Sequence, residues 1–195
     1  MALLRAATPG DIGPVIETER VVLRAPQMSD YPAWAKLRAT SRDFLVPWEP
    51  LWALDELSRA SFRRRVRHYL RDMREDMGYA LFVYDTQSTA LVGGITLCNV
   101  RRGVTQSCTL GYWVGAAHAK RGYMTAAVRA VVPFVFDSLE LHRLEAACLP
   151  TNTASMRLLK RVGFTREGLA RRYLRINGDW RDHVLYALLD TDSRG

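Results

Sequence analysis

Two hydrophobic periods alternate along this 195-residue chain, and the switches between them mark out the elements. Glu19–Arg24 (ERVVLR) is rich in β-branched residues and predicts a first strand. Ser29 is placed to cap a helix whose buried side carries Trp34 and Leu37. Phe44–Trp52 (FLVPWEPLW) holds two prolines and interrupts helical structure. From about Leu54 to Asp76, Phe62, Val66, Tyr69 and Met73 recur at helical spacing, and Gly78 is expected to end that helix. Tyr79–Asp85 and Leu91–Val100 read as strands joined by a polar turn. Arg101-Arg102-Gly103 turns the chain again into a strand over Thr105–Val114. Gly122 opens a helix to about Leu139, in which Pro133 should produce a kink. Leu141–Leu149 returns as a strand, and Asn152 caps a short helix that stops at Gly163. Thr165–Ile176 and Trp180–Leu189 flank Asn177-Gly178, a strong two-residue hairpin signal. Residues 1–15, with Pro9, Gly10, Gly13 and Pro14, read as irregular.

This order combines antiparallel meanders with α-crossovers, so the fold class is α/β with a mixed sheet flanked by helices. Length and a hydrophobic share of 48% fit one domain over residues 1–195 with a sizeable core. No repeat or linker interrupts it. No stretch approaches about 18 uninterrupted apolar residues, so no membrane span is expected. Met1–Arg5 is too short and lacks a basic leader, so a secretory signal is not expected. Cys98, Cys108 and Cys148 lack metal-ligand spacing and read as buried thiols of a cytoplasmic protein. The formal charge of +8 attracts anions of many kinds and names none of them.

The chemistry concentrates between Trp113 and Thr125. A strand ends near Val114, and a loop with Gly115, Lys120, Arg121 and Gly122 leads into a helix. Such a helix start presents unpaired N–H groups and a positive dipole end, and glycine lets an anion approach the backbone. Together they form a phosphate site, although a plain strand-to-helix loop with surface basic residues has the same outline. Asn152, further on, can cap its helix and offer its amide to a ligand.

Ala119-Lys-Arg-Gly122-Tyr-Met124 resembles motif A of the GNAT N-acetyltransferases, Q/R-x-x-G-x-G/A, with Ala119 and Met124 departing from it. Pro150-Thr-Asn-Thr-Ala-Ser155 followed by Leu158–Phe164 resembles motif B of that family. Phe44–Pro50 and Arg171–Tyr186 resemble the RimJ/RimL-type ribosomal-protein-alanine N-acetyltransferases. The likeness runs from about Val21 to Leu188. It implies the GNAT fold, with a mostly antiparallel central sheet, and acetyl-CoA as acetyl donor. The pyrophosphate would then lie at the amides of Lys120, Arg121, Gly122, Tyr123, Met124 and Thr125, with a backbone donor near Trp113 or Val114 for the thioester oxygen. Asn152 would lie beside the pantetheine arm.

The resemblance further implies direct attack by an amine. Many members place a tyrosine seven residues after the motif-B asparagine to serve the departing thiolate; here that position is Leu159. Ser155 matches the serine of the RimJ/RimL branch and is assigned to the sulfur, its alternative being a hydroxyl bonded to helix backbone. Glu49, in a loop that resembles the acceptor wall, is the candidate base, since burial would favour that role; its alternative is an ion pair with a nearby arginine. Glu145 is read as an ion-pair residue, His183 as a structural hairpin residue, His118 as lining the cofactor loop and His68 as solvent-facing. Arg59–Arg74 invites a nucleic-acid reading, but Glu56, Asp72, Glu75 and Asp76 are interspersed and no stacking aromatics accompany them, which argues against direct binding. The acceptor expected is a protein or peptide N-terminus, ribosomal by resemblance. A small-amine acetyltransferase and a non-catalytic CoA- or RNA-binding module are the competing readings. The enzyme is expected to be a monomer or homodimer.

Overall fold

A computed structural model describes the backbone of residues 3–5 and the whole of residues 13–192. The first strand, β1 (Leu3–Arg5), pairs with β2 (Val15–Glu17), and β2 pairs with β3 (Val21–Arg24). Parts of the segment read as irregular are therefore strands; Met1, Ala2 and residues 6–12 lie outside the described residues. Helix α1 spans Tyr31–Thr40 and the short α2 spans Arg42–Leu45. Ser29 does not cap α1. It lies inside a preceding 3-10 turn, Met28–Asp30, and Asp30 instead bonds the Gln27 amide and pairs with Arg24.

Helix α3 covers Arg59–Arg74, shorter at its start than the hydrophobic period suggests. Ser58 caps it, its Oγ accepting from the Ser61 amide at 3.0 Å, while residues 54–57 form a turn. Its end also falls before Gly78, because Asp76 takes the left-handed conformation (φ 54°). Strands β4 (Tyr79–Asp85), β5 (Leu91–Arg101) and β6 (Ser107–Val114) form an antiparallel meander. Helix α4 spans Tyr123–Pro133 and continues as a π-turn over Phe134–Ser138. Pro133 stays helical at φ −60°, and Leu139 donates to the Phe134 carbonyl five residues back. The chain thus stays helical through the proline and widens into a π-turn directly after it. Strand β7 (Arg143–Cys148), helix α5 (Thr153–Val162) and the hairpin β8 (Thr165–Ile176) and β9 (Asp179–Leu189) complete the chain.

The nine strands form one sheet in the order β1-β2-β3-β4-β5-β6-β7-β9-β8, in which only β6 and β7 run parallel. Strand alternation divides its two faces. Leu81 and Val83 of β4 join the core under α4 and α5, whereas Phe82 packs with Trp34, Phe62 and Val66 of α1 and α3. Tyr112 and Val114 of β6 follow the first face, and Trp113 follows the second. No helix among the described residues is long and apolar enough to cross a membrane.

Candidate active site

Strands β6 and β7 pair only from Ser107↔Arg143 to Leu110↔Ala146. Beyond that point β6 stays with β5 as far as Val114, while β7 stays with β9 as far as Cys148. The two strands therefore part, and the edges facing each other lose their ladder partners. Gly115 donates to the Val92 carbonyl on the β5 side, so alternation turns the Val114 amide into the gap. Of the expected pair Trp113 and Val114, it is Val114 whose N–H faces the opening. The Trp113 indole lies on the opposite face, over Gly94, where an added Cβ would come within 2.7 Å of Nε1.

Past Val114 the chain makes a 3-10 turn over Ala116–His118 and enters α4 at Gly122, which is left-handed at φ +83°. Lys120 is left-handed too, at φ 58°. Among the described residues no protein acceptor receives the amides of Lys120, Arg121, Gly122, Tyr123, Met124 or Thr125. The side chains of Tyr123 and Met124 are buried in the core, so these two residues can offer a ligand only their backbone. Met124 departs from the small residue of motif A because Gly93 on β5 leaves room for it: a Cβ there would lie 3.1 Å from Met124 Cε. The Arg20 guanidinium donates to the Arg121 carbonyl and lies 5.0 Å from the Tyr123 ring centre. Arg20 sits outside every motif and reaches the loop only through the fold. The buried Nδ1 of His118 has no hydrogen-bond partner among the described residues. Burial and then Arg121 lower the His118 pKa. Unpaired amides, an orphaned ring nitrogen and a glycine cradle surrounded by Arg20, Lys120 and Arg121 fit a phosphate-bearing ligand.

Asn152 accepts from the Ser155 amide at 3.0 Å and caps α5. The Ser155 hydroxyl does not bond helix backbone among the described residues; it lies 2.7 Å from Tyr112 Oη across the parted strands. Ser155 is buried, and Tyr112 has its pKa pushed well up by burial. Cys148, at the end of β7, is buried, and burial raises its thiol pKa. Leu159, one turn beyond Ser155, is fully buried in the core. The sequence pattern did not reveal Tyr112, because its partner is 43 residues away and only the parting of β6 and β7 brings them together.

Glu49 does not lie with Ser155. Its carboxylate forms a two-pronged pair with Arg38 (Oε1–Nη1 2.6 Å, Oε2–Nη2 2.7 Å) and accepts from Trp52 Nε1 at 2.8 Å. Arg38 is 6% exposed and stacks on Trp52 and Trp113, at 4.4 and 5.0 Å from the ring centres. The Glu49 carbonyl receives the Asn177 amide at 2.9 Å, joining the Trp48 loop to the tip of the terminal hairpin. A cavity of about 290 Å³ opens at that joint, lined by Arg42, Asp43, Val46, Pro47, Leu51, Trp52 and Asn177. Glu145 pairs with Arg143 in a half-exposed position, and His183 is buried with Nδ1 on the Arg181 carbonyl. His68 is exposed beside Asp72.

The family description "Acetyltransferase (GNAT) domain" matches residues 20–165, and the chain belongs to this family. It is thus an N-acetyltransferase. The ribosomal protein uS5-alanine N-acetyltransferase of Escherichia coli (strain K12) is 33% identical over 179 residues, 91% of this chain and 91% of that protein. RimJ of Mycobacterium smegmatis, solved in complex with CoA-disulfide, is 34% identical with a TM-score of 0.83, covering 87% of this chain and 82% of that one. The ribosomal-protein-S5-alanine acetyltransferase of Vibrio fischeri is 27% identical with a TM-score of 0.84, covering 93% and 99%.

The Arg38–Glu49 pair generates a stability prediction. Glu49→Ala leaves the buried Arg38 guanidinium with only the Glu56 carboxylate, 3.9 Å away, and should cost about 3 kcal/mol in urea unfolding. Arg38→Met combined with Glu49→Leu removes both charges and should cost less than the single change. A double variant as destabilised as the sum of its singles would show that the pair is not what holds the loop.

Proposed function

We propose that this chain transfers the acetyl group of acetyl-CoA directly to an α-amine, at the N-terminus of a protein and most specifically of a ribosomal protein. The observation that carries the reading is the gap between β6 and β7, with the Val114 amide on one side and the Ser155 hydroxyl at its mouth. When bound, acetyl-CoA supplies an activated acetyl group as a thioester. Lys120–Thr125 hold its pyrophosphate through their amides, with Arg20 and Lys120 adding positive charge. The Val114 N–H, already fixed in a strand, would donate a hydrogen bond to the carbonyl oxygen as charge develops on it. Asn152 caps α5 and borders the pantetheine arm. Ser155 hydrogen-bonds the departing sulfur.

The Trp48 loop and the hairpin tip form the acceptor walls, tied together by the Asn177–Glu49 backbone bond. Both Glu49 oxygens already have donors, so we assign Glu49 to holding this wall and orienting the incoming ammonium group through it, rather than to proton removal. The acceptor's own acidity then matters. At pH near 7.5 about a third of an α-amine is neutral, against on the order of a thousandth of a lysine side chain. A site without a dedicated base therefore selects α-amines. The names of the uS5-alanine and S5-alanine relatives support a ribosomal acceptor.

Two outcomes follow. Gly122→Val forces a β-branched residue to φ +83° and sets its Cβ 3.8 Å from the Arg20 guanidinium beside the cradle, so calorimetry should show acetyl-CoA affinity falling about 10-fold or more. Unchanged affinity in a folded variant contradicts the cradle. Ser155→Ala should lower kcat about 10-fold or more while acetyl-CoA affinity stays near normal, because the interaction strengthens as the sulfur gains charge. Loss of affinity with kcat intact would make Ser155 a binding residue.

A further inference from the structure

A serine hydroxyl has a single hydrogen, and its usefulness to a departing thiolate depends on where that hydrogen points. We infer that Tyr112 is a positioning residue: it donates its phenolic hydrogen to Ser155 Oγ and leaves the Ser155 hydrogen free for the leaving sulfur. This inference rests on the assignment of Ser155 to the sulfur and adds the element that orients it.

Four observations converge. The Ser155 amide is already held by Asn152, so the start of α5 is fixed without help from the hydroxyl. The Ser155 oxygen lies 2.7 Å from the phenol, a well-formed hydrogen bond between two hydroxyls. Of the two groups the phenol is the more acidic and hence the stronger donor, and burial keeps it protonated. In the reverse arrangement the phenolic hydrogen would need another acceptor, and none is found among the described residues. A buried donor left unpaired is costly, so once a thioester sulfur is there to accept the Ser155 hydrogen, the arrangement with Tyr112 donating satisfies both hydroxyls.

The contact also accounts for Leu159. That position, where many family members carry a tyrosine, is committed to the core here, and a phenol enters the same region from β6 instead. The substituted phenol does not reach the sulfur itself. It acts through Ser155 and keeps its proton throughout. A bound thioester sulfur would accept the free Ser155 hydrogen and leave the bond to Tyr112 unchanged.

The test is a double-mutant cycle on kcat with acetyl-CoA affinity measured in parallel. Tyr112→Phe keeps the ring in the core and removes only the hydroxyl; kcat should fall about 10-fold with affinity within 2-fold of normal. In a Ser155→Ala background the same change should cost less than 2-fold, because nothing remains to orient. A protein with 3-fluorotyrosine at position 112 keeps a donor and should retain kcat within 2-fold, which separates donation from packing and covers a poorly folded phenylalanine variant. If Ser155→Ala slows turnover but Tyr112→Phe does not, or if the two losses multiply, Tyr112 has no positioning role while the serine assignment stands. If Ser155→Ala leaves kcat intact, the serine assignment falls and this inference with it.

Discussion

The parting of two parallel strands is the constraint on which this structure depends. β6 and β7 begin in register and separate after Leu110 and Ala146, each kept extended by its other neighbour. Backbone groups on the facing edges then lack ladder partners, an arrangement a protein interior does not tolerate without something else to satisfy them. A ligand with a carbonyl oxygen and an amide-rich arm is suited to that space. The same parting sets Tyr112 of β6 opposite Ser155 at the start of α5.

Much of this was legible in the sequence because it is local. Asn152 three residues before Ser155, Gly163 after the last apolar turn and Asn177-Gly178 between two strands each encode a single bond or backbone angle. Gly122 is of the same kind, its positive φ being readable from a glycine between basic residues and an apolar helix. Boundaries were lost where tertiary bonding decided. Leu54 is apolar yet fully exposed, so it extends a helical period without joining the helix that Ser58 caps. Val15–Glu17 becomes a strand because β3 offers it an edge. Arg20, Arg38 and Tyr112 carried no motif at all. Their partners lie 101, 11 and 43 residues away, and the tertiary fold rather than a local spacing brings them close.

The two faces of the sheet divide the labour. On the α4 and α5 side, the amides and the Ser155 hydroxyl face the gap. On the α1 and α3 side, Arg38 and Glu49 form a pair sandwiched between Trp52 and Trp113, tying the Trp48 loop to β6 and, through Asn177, to the hairpin. Trp113 and Val114 are adjacent in β6 but belong to different faces. Under the proposed function, the stacking of Arg38 on Trp113 would tie the position of the acceptor wall to the strand that carries the Val114 amide.

The central claim is that this geometry serves α-amines. The most direct measurement offers the purified protein acetyl-CoA with a panel of peptides that differ in N-terminal residue, alongside peptides with a blocked N-terminus and a free lysine, spermidine and an aminoglycoside, with products identified by mass. Acetylation confined to free N-termini, fastest for ribosomal-protein sequences beginning with a small residue such as Ala or Ser, is the predicted result. Faster acetylation of spermidine, the aminoglycoside or a lysine side chain than of any peptide N-terminus would contradict it.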